Sequence, residues 1–212
     1  MSRCLKIDSE KPDAENLAEA VRILREGGVI GFPTETFYGL GADARNEAAV
    51  EKIFRIKGRD FRNPLPLIVA NENDLIPLVE EIPEAAQILM KAFWPGPLTL
   101  VFRASSSLLP RLTAETGKIG IRISSHPVAR LLAEALSGPL TATSANISGG
   151  PECSSAEAVM DALGDLTDAV IDGGTTPGGK GSTVLDVTVS PPLILRAGVV
   201  PSDLILKTLN GC

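Results

Sequence analysis

DAENLAEAVRILREGGVIGF, which covers Asp13–Phe32, joins two kinds of periodicity and decides the fold class. Apolar residues recur at helical spacing from Leu17 to Leu24, which predicts an amphipathic helix that ends at Gly27. The segment VIGF that follows is a short apolar strand. A helix with one apolar face, followed directly by a buried strand, is typical of a sheet covered by helices.

The same alternation continues along the chain. Further helices are predicted over residues 46–58, 83–94, 126–136, 155–163 and 202–209. Further strands are predicted over residues 65–70, 98–102, 118–123, 140–144, 168–171, 182–189 and 193–198. Asn46 is placed to cap its helix and Gly58 to end it. This order predicts an α/β (α+β) fold with a twisted mixed sheet flanked by helices.

The domain organisation follows from length and from the absence of a linker. The chain has 212 residues, of which 44% are hydrophobic, and this suits one domain with a sizeable core. No internal repeat or Pro/Gly/Ser-rich linker divides the sequence. We therefore expect a single domain over residues 1–212, with its motifs between about 15 and 200 and no additional C-terminal domain.

Charge argues against nucleic acid as the main ligand. Lys and Arg total 20 against 26 Asp and Glu, a formal net charge of −6. A protein that binds nucleic acid by neutralising phosphates is usually basic. Aromatic residues are only 4%, which disfavours extensive base stacking. Weak RNA binding through a local basic groove stays open as an alternative.

Cysteine usage and the N-terminus predict a cytoplasmic protein. The three cysteines, Cys4, Cys153 and Cys212, are far apart, which suits a reducing compartment and argues against a disulfide framework or a structural zinc site. The N-terminal residues contain no apolar signal-peptide core. No apolar run is long enough to span a bilayer, so no membrane contact is expected.

A glycine-rich stretch, GGTTPGGKGSTVLDVT (Gly173–Thr188), nearly matches a phosphate-binding P-loop. Gly181 stands where the magnesium-binding Ser or Thr belongs, and a strand rather than a helix is predicted after Lys180. Two readings remain: a flexible glycine loop, or a substrate loop in which the backbone approaches a ligand and Ser182 and Thr183 offer hydroxyls.

Other loops carry the remaining polar groups. Lys57 lies in a last helical turn, where the helix dipole explains a cation, whereas Arg59 leads into a buried strand and could bind a phosphate or carboxylate. TATSANISGGP, residues 141–151, ends a strand in hydroxyls, an amide and glycines. The sole His, His126, is favoured as a capping or loop residue over a catalytic one, and Trp94 as part of a rigid corner.

No familiar catalytic constellation is visible. A Ser–His–Asp triad could use only His126, and neither G-x-S-x-G nor H-E-x-x-H occurs. No acidic cluster suggests a metal site, so none is predicted. Basic and hydroxyl side chains on loops suit chemistry in which the protein orients reactants and neutralises phosphates. An adenylation, with pyrophosphate leaving, is one such reaction.

Six segments, in order, resemble the YrdC/TsaC family of L-threonylcarbamoyladenylate synthases. They are PTETFYGLGAD (33–43), KGRDFRNPLPL (57–67), WPGPLTLV (94–101), TSANISG (143–149), STVLDVT (182–188) and ILRAG (194–198). Each is weak alone, but six in family order are specific. The resemblance implies a YrdC-like fold with a concave ligand pocket. It also implies synthesis of threonylcarbamoyl-AMP from L-threonine, bicarbonate or CO2, and ATP, with Mg2+ carried mainly by the ATP phosphates.

The resemblance also assigns residues. L-Threonine would be held by Thr36, Arg122 and Ser182. ATP would be held by Arg59, Asn63, Ser144, Asn146, Ser154 and Arg196. Lys57 and Arg59 would act in catalysis, Lys57 by neutralising phosphate, while the division of Ser144 and Asn146 between the two ligands is left open. A separate complex would then transfer the threonylcarbamoyl group to tRNA. Two alternatives stay open: a YrdC-like paralogue with another acyl or carbamoyl acceptor, and a module that binds double-stranded RNA or tRNA.

The sequence departs from the family pattern at three places in its motifs. The segment RISSHP (122–127) lacks a proline that is common in the family before the H-P pair. Asp60 stands where the family often has proline, which places an acid beside the expected phosphate-binding residues. The segment LIVA lacks a histidine that some members carry after N-P-L, so a threonine contact from that position is lost.

Overall fold

Eleven strands form two mixed sheets in the computed structural model, which describes residues 2–9, 11–58, 60 and 62–211. The strands are β1 Arg3–Lys6, β2 Ile30–Phe32, β3 Gly39–Gly41, β4 Leu67–Ile68, β5 Leu98–Arg103, β6 Lys118–Arg122, β7 Leu140–Thr141, β8 Thr143–Ser144, β9 Ala169–Asp172, β10 Thr183–Asp186 and β11 Leu193–Arg196. The α-helices are α1 Ala14–Arg25, α2 Glu47–Lys57, α3 Glu84–Phe93, α4 Pro110–Thr113, α5 Pro127–Leu136, α6 Ala156–Leu163 and α7 Ser202–Asn210. Two 3-10 helices cover Glu72–Leu78 and Gly164–Leu166.

The strand order separates the two sheets. The five-stranded sheet has the order β1-β9-β2-β3-β8, and the six-stranded sheet has the order β11-β10-β5-β6-β4-β7. Both contain parallel and antiparallel pairs. The prediction of a mixed α/β fold is confirmed, although the strands form two sheets where the sequence predicted one.

The segment predicted as one strand over residues 140–144 is divided between the two sheets. Thr141 pairs with Leu67 of the six-stranded sheet, whereas Ser144 pairs with Gly39 of the five-stranded sheet. Between them the N–H of Ala142 donates to the Pro66 carbonyl at 2.8 Å. A continuous apolar and hydroxyl pattern does not reveal such a crossing, because each half still alternates as a strand.

Two apolar clusters bury the faces of the helices. The larger cluster contains residues of α2, α3, α6 and α7, packed with strands of both sheets. The smaller cluster packs α1 and α5 on β1, β2 and β9. The amphipathic pattern of each helix therefore accounts for which face is buried.

Helix ends follow the local sequence. The Asn46 side chain accepts a hydrogen bond from the Ala49 N–H at 3.1 Å, and Gly58 ends α2 in the left-handed conformation with φ of 55°. Both assignments made from the sequence are confirmed. Within the described ranges, no helix has the length and apolar character needed to cross a bilayer.

Trp94 and His126 illustrate a confirmed and a revised expectation. Trp94 is buried, and its indole N–H donates to the Leu98 carbonyl at 2.7 Å, as suits a rigid corner. His126 occupies the N-cap position of α5, but its side chain makes no capping hydrogen bond. Its Nδ1 atom is buried without a hydrogen-bond partner among the described residues.

Strand β3 was not predicted, because glycines are depleted in strands. Here they allow the backbone to approach the ring of Phe32, which is fully buried. A Cβ atom at Gly39 would lie 3.0 Å from Phe32 Cζ, and one at Gly41 would lie 2.7 Å from both Phe32 Cε1 and the Thr141 carbonyl oxygen. Gly39 and Gly41 are therefore required by packing.

We expect Gly39→Ala to lower the free energy of unfolding by about 1–3 kcal/mol, because the added methyl group overpacks the Phe32 ring. Combining Gly39→Ala with Phe32→Leu relieves the clash. The double variant should therefore lose less free energy of unfolding than the sum of the losses in the two single variants. Gly41→Ala is the matched comparison, since its clash with the backbone oxygen of Thr141 remains in both backgrounds. Urea unfolding measures all five variants, and strict additivity at Gly39 would contradict this explanation.

Candidate functional site

A concave cavity of about 460 Å³ lies over one face of the six-stranded sheet. Alternate residues of neighbouring strands form its floor, because side chains two apart point to the same face of a sheet. The floor residues are Thr99, Val101, Lys118, Gly120, Arg122, Ser182 and Val184. The turn between β2 and β3 contributes Thr34 and Thr36, and β8 contributes Ser144. A cavity of this size suits a ligand of nucleotide dimensions.

The three residues predicted to hold L-threonine line this cavity together. They are Thr36 on the β2–β3 turn, Arg122 at the end of β6 and Ser182 before β10. The Thr36 and Thr34 hydroxyls lie 3.2 Å apart, and the Ser182 hydroxyl lies 3.0 Å from that of Thr99. The turn and the two strands thus place hydroxyl groups and a guanidinium around one volume.

Arg122 is the most deeply placed charge of the cavity, with only 10% of its side chain exposed. Its Nη1 atom lies 3.2 Å from Oε1 of Glu35. Burial lowers the pKa of Arg122, the Glu35 carboxylate opposes that shift, and the nearby Arg196 adds to it. The guanidinium group of Arg196 is therefore close enough to affect the charge of Arg122 within the cavity.

Arg196 is fixed by the backbone of the predicted threonine loop. Its Nε and Nη2 atoms donate to the Ser182 carbonyl at 3.2 and 2.8 Å, and Nη2 also lies 3.1 Å from the Ser182 hydroxyl. The sequence assigned Arg196 to ATP and Ser182 to threonine. The structure brings these two residues into direct contact.

Lys57 is buried, with 1% of its surface exposed. Its Nζ atom donates to the Ser144 carbonyl, and to the carbonyl and side-chain oxygens of Asn146 at 2.7 and 3.1 Å. An ammonium group has three N–H donors, so these contacts match its capacity. Lys57 holds the segment 144–146 from behind, and the phosphate contact expected from the sequence stays a prediction.

Asn146 is bonded in the same network. Its Oδ1 atom accepts from the Ser144 hydroxyl at 2.7 Å, and its Nδ2 atom donates to the Gly150 carbonyl at 2.6 Å. Ser144 lines the cavity, whereas Asn146 lies next to it in the chain and is buried. Ser144 is therefore accessible to a ligand in the cavity, whereas Asn146 is buried and stabilises the loop through its hydrogen bonds.

The remaining predicted ATP contacts lie at the periphery or outside the described residues. Asn63 is exposed, and its neighbour Pro64 lines the cavity. The Ser154 carbonyl accepts from the Thr176 N–H at 2.8 Å, which places Ser154 beside the glycine-rich segment. Arg59 lies outside the described residues. The roles of all three stay predictions.

Asp60 is paired with its neighbour Arg62. Guanidinium nitrogens of Arg62 approach the carboxylate oxygens at 2.8–3.2 Å, and this pairing holds the pKa of Asp60 below its usual range. The acid that departs from the family pattern is thus compensated within two residues. Both side chains are solvent-exposed, so the pair adds little stability.

The glycine-rich segment has no helix after Lys180; the strand β10 follows instead, as the sequence predicted. Hydrogen bonds connect residues 173–178 to residues that line the cavity. The Tyr38 hydroxyl donates to the Gly174 carbonyl at 2.7 Å, and the Gly178 N–H donates to the Thr36 carbonyl at 2.8 Å. Burial raises the pKa of Tyr38 to about 12, so this hydroxyl remains a donor at neutral pH.

Sequence reasoning missed several residues of the site. Lys118 lines the floor, and its Nζ atom lies 2.8 Å from Oδ2 of the buried Asp186. Strict alternation of Lys118, Gly120 and Arg122 along β6 is the signal that could have identified it. Glu152 also lines the wall, and Glu35 lies beside Arg122; no local sequence pattern singles out either residue.

The chain is similar to known proteins along most of its length. The Sua5/YciO/YrdC family model, described as "telomere recombination", matches residues 22–198. A threonylcarbamoyl-AMP synthase of Pyrococcus abyssi is 44% identical over 192 residues, which cover 90% of this chain and 56% of the relative.

Two solved structures are similar along almost the whole chain. The P. abyssi Sua5 protein complexed with L-threonine has a TM-score of 0.94 and 40% identity, covering 98% of this chain and 61% of that one. Escherichia coli YciO has a TM-score of 0.89 and 32% identity, covering 97% and 100%. The chain thus spans a little over half the length of the P. abyssi relatives. With a family match over most of its residues, the chain belongs to the Sua5/YciO/YrdC family.

Proposed function

We propose that this chain is a nucleotidyltransferase that synthesises L-threonylcarbamoyl-adenylate from L-threonine, bicarbonate or CO2, and ATP. The amine of threonine and bicarbonate would combine to a carbamate with loss of water. A carbamate oxygen would then attack the α-phosphorus of ATP, the bond between the α- and β-phosphates would break, and pyrophosphate would leave. Such a reaction needs orientation and charge neutralisation more than it needs protein acids and bases.

The observation that carries this proposal is the convergence of two predicted residue sets in one cavity. Thr36, Arg122 and Ser182, assigned to threonine, line the same cavity as Ser144 and Arg196, assigned to ATP. The hydrogen bonds between Arg196 and Ser182 join the two sets directly. A reaction between two bound ligands requires this adjacency, because the reacting atoms must approach to about 3 Å.

At the threonine end, Arg122 would bind the carboxylate. Guanidinium binds carboxylate in a fork of two hydrogen bonds, and the burial of Arg122 strengthens such an interaction. The hydroxyls of Thr36 and Ser182 would bind the polar groups of the amino acid. The relative from P. abyssi that was solved with L-threonine supports this ligand class.

At the nucleotide end, Ser144 and Arg196 would contact ATP, together with Arg59, Asn63, Asn146 and Ser154. Among the described residues, no group of three or more His, Cys, Asp or Glu side chains could hold a metal ion. ATP would enter as its Mg2+ complex, with the ion bound mainly by phosphate oxygens. Lys57 would act by fixing the segment that carries Ser144.

The wider setting is part of the same proposal. The name of the P. abyssi relative, threonylcarbamoyl-AMP synthase, supports the product. A separate complex would then transfer the threonylcarbamoyl group to tRNA in the cytoplasm. The net charge of −6 supports a division of labour in which this protein makes the adenylate and another component binds the RNA.

The purified protein should release pyrophosphate only when ATP, L-threonine and bicarbonate are all present. A coupled pyrophosphate assay with each component omitted in turn measures this, and mass spectrometry identifies the adenylate. Release without threonine, or no release across a range of Mg2+ concentrations, would refute the proposal. Carbamoyl phosphate in place of threonine and bicarbonate tests for a paralogue with another acceptor.

Ser182→Ala should raise the KM for L-threonine about tenfold, since one hydrogen bond in a closed site is lost. The KM for ATP should change less, although Arg196 loses one contact with the Ser182 hydroxyl while retaining those with the carbonyl. Ser107→Ala, at an exposed loop far from the cavity lining, is the control. Equal effects on both substrates would contradict the assignment of Ser182 to threonine.

Lys57→Met should lower the free energy of unfolding by roughly 3 kcal/mol, because three oxygens of the loop lose the donor that Lys57 supplies. Activity should fall as well, because the loop that begins at Ser144 loses these contacts. Chemical unfolding and steady-state kinetics separate this role from direct phosphate binding. If the variant is as stable as the unchanged protein but has a greatly raised KM for ATP, Lys57 contacts the nucleotide instead.

A further inference from the structure

Glu35 stands between two threonines that line the cavity, Thr34 and Thr36, but its own carboxylate lies beside Arg122 and Ser124. Only 11% of its side chain is exposed. A buried carboxylate requires compensation by charge or hydrogen bonds. The reaction proposed above gives Glu35 no task, so its placement needs an explanation.

Ser124 fixes one oxygen of this carboxylate. The Ser124 hydroxyl donates a short hydrogen bond to Glu35 Oε2, and its oxygen accepts from the His126 N–H at 3.2 Å. Ser124 is fully buried in the loop after β6. The carboxylate is therefore held by the same strand end that carries Arg122.

The other oxygen faces Arg122 without taking a directed hydrogen bond. Glu35 Oε1 is 3.2 Å from Arg122 Nη1, yet it accepts no hydrogen bond among the described residues. The contact is thus one of charge, and the N–H bonds of the guanidinium are not aimed at Glu35. A guanidinium has five N–H donors, so those on its cavity side stay available to a ligand.

Glu35 also balances the charge of this end of the cavity. Arg196 is a second cation near Arg122, and it disfavours the charge of the Arg122 guanidinium. The Glu35 carboxylate opposes that effect and favours the charged form of Arg122 in its buried position.

We propose that Glu35 is a positioning residue for substrate carboxylate recognition: it holds the Arg122 guanidinium from behind, so that its free N–H groups face the cavity. This inference rests on the proposed function, in which Arg122 binds the carboxylate of L-threonine. Glu35 does not touch the substrate. Its effect is confined to ligands whose carboxylate meets Arg122.

The test compares L-threonine with L-threonine amide, which lacks the carboxylate charge. Isothermal titration with a non-hydrolysable ATP analogue present gives the affinity ratio of the two ligands. In the unchanged protein L-threonine should bind at least about tenfold more tightly, and Glu35→Gln should remove most of that preference. The affinity for the ATP analogue alone should change less than about twofold, which is below the effect of losing one hydrogen bond.

Glu134→Gln, an exposed glutamate on α5, is the matched control and should retain the preference. A general loss of structure at Glu35 would weaken both ligands and the nucleotide alike, whereas the positioning role weakens L-threonine selectively. If Glu35→Gln keeps the ratio of the unchanged protein, or weakens both ligands equally, the inference is wrong. A protein that binds no L-threonine at all overturns the proposed function together with it.

A second measurement needs no ligand. Arg122→Met leaves the Glu35 carboxylate buried without its cation, so adding Glu35→Gln should restore part of the lost thermal stability. The double variant should therefore unfold at a higher temperature than Arg122→Met alone. If the two changes simply add, Glu35 and Arg122 are not coupled and the positioning role is refuted.

Discussion

The positive charge of Lys57 is buried at the end of α2 against the loop that follows β8, and the shape of the site depends on this contact. Its Nζ atom donates to oxygens of Ser144 and Asn146, while its own carbonyl accepts from the Ser148 N–H at 2.9 Å. The end of α2 is thus bonded at both sides to the loop that leaves β8. Carbonyl groups buried in a loop need donors, and a long cationic side chain supplies three from one position. Ser144 is thus held on the cavity wall by the contact with Lys57 as well as by its pairing with Gly39.

The geometry of the strands determines which side chains form the floor of the cavity. Residues two apart on β5, β6 and β10 point to one face, so a short alternating sequence sets Lys118, Gly120 and Arg122 in a row. Gly120 leaves open space between Lys118 and Arg122, because glycine has no side chain to fill it. The two cations of β6 are then separated along the floor, each with its own carboxylate: Asp186 for Lys118 and Glu35 for Arg122.

The sequence predicts most elements because their signals are local. Asn46 and Gly58 delimit α2 through contacts within a few residues, and the strand after Lys180 shows its β-branched alternation directly. Strand β3 and the divided segment 140–144 were not predicted, because both depend on distant partners. Phe32 explains the glycines of β3, and the backbone of Pro66 explains the crossing at Ala142. Neither neighbour is visible in the local pattern.

The candidate site shows the same division between local and distant information. Motif resemblance selected Thr36, Arg122, Ser182, Ser144 and Arg196, and these five line one cavity. It could not reveal that Lys57 is buried or that Glu35 lies behind Arg122. Those facts arise from the packing of α2 and of the β2–β3 turn against strands far away in the chain. The resemblance therefore identified side chains that line the cavity. The structure was needed to find Lys57 and Glu35, which contact those residues without lining the cavity themselves.

The cations around the cavity are paired with carboxylate or carbonyl groups, so they attract anions less than unpaired cations would. Lys118 and Arg122 each have a carboxylate within 3.2 Å, and Arg196 is bonded to a neutral carbonyl. Local positive charge is therefore limited, while the chain as a whole carries −6. A long polyanion approaching the protein meets this overall repulsion, which acts over about a Debye length. An amino acid is a zwitterion, and a nucleotide that carries a metal ion is partly neutralised, so ligands of these two kinds would escape most of that repulsion. The charge distribution thus favours small ligands that are already partly neutralised.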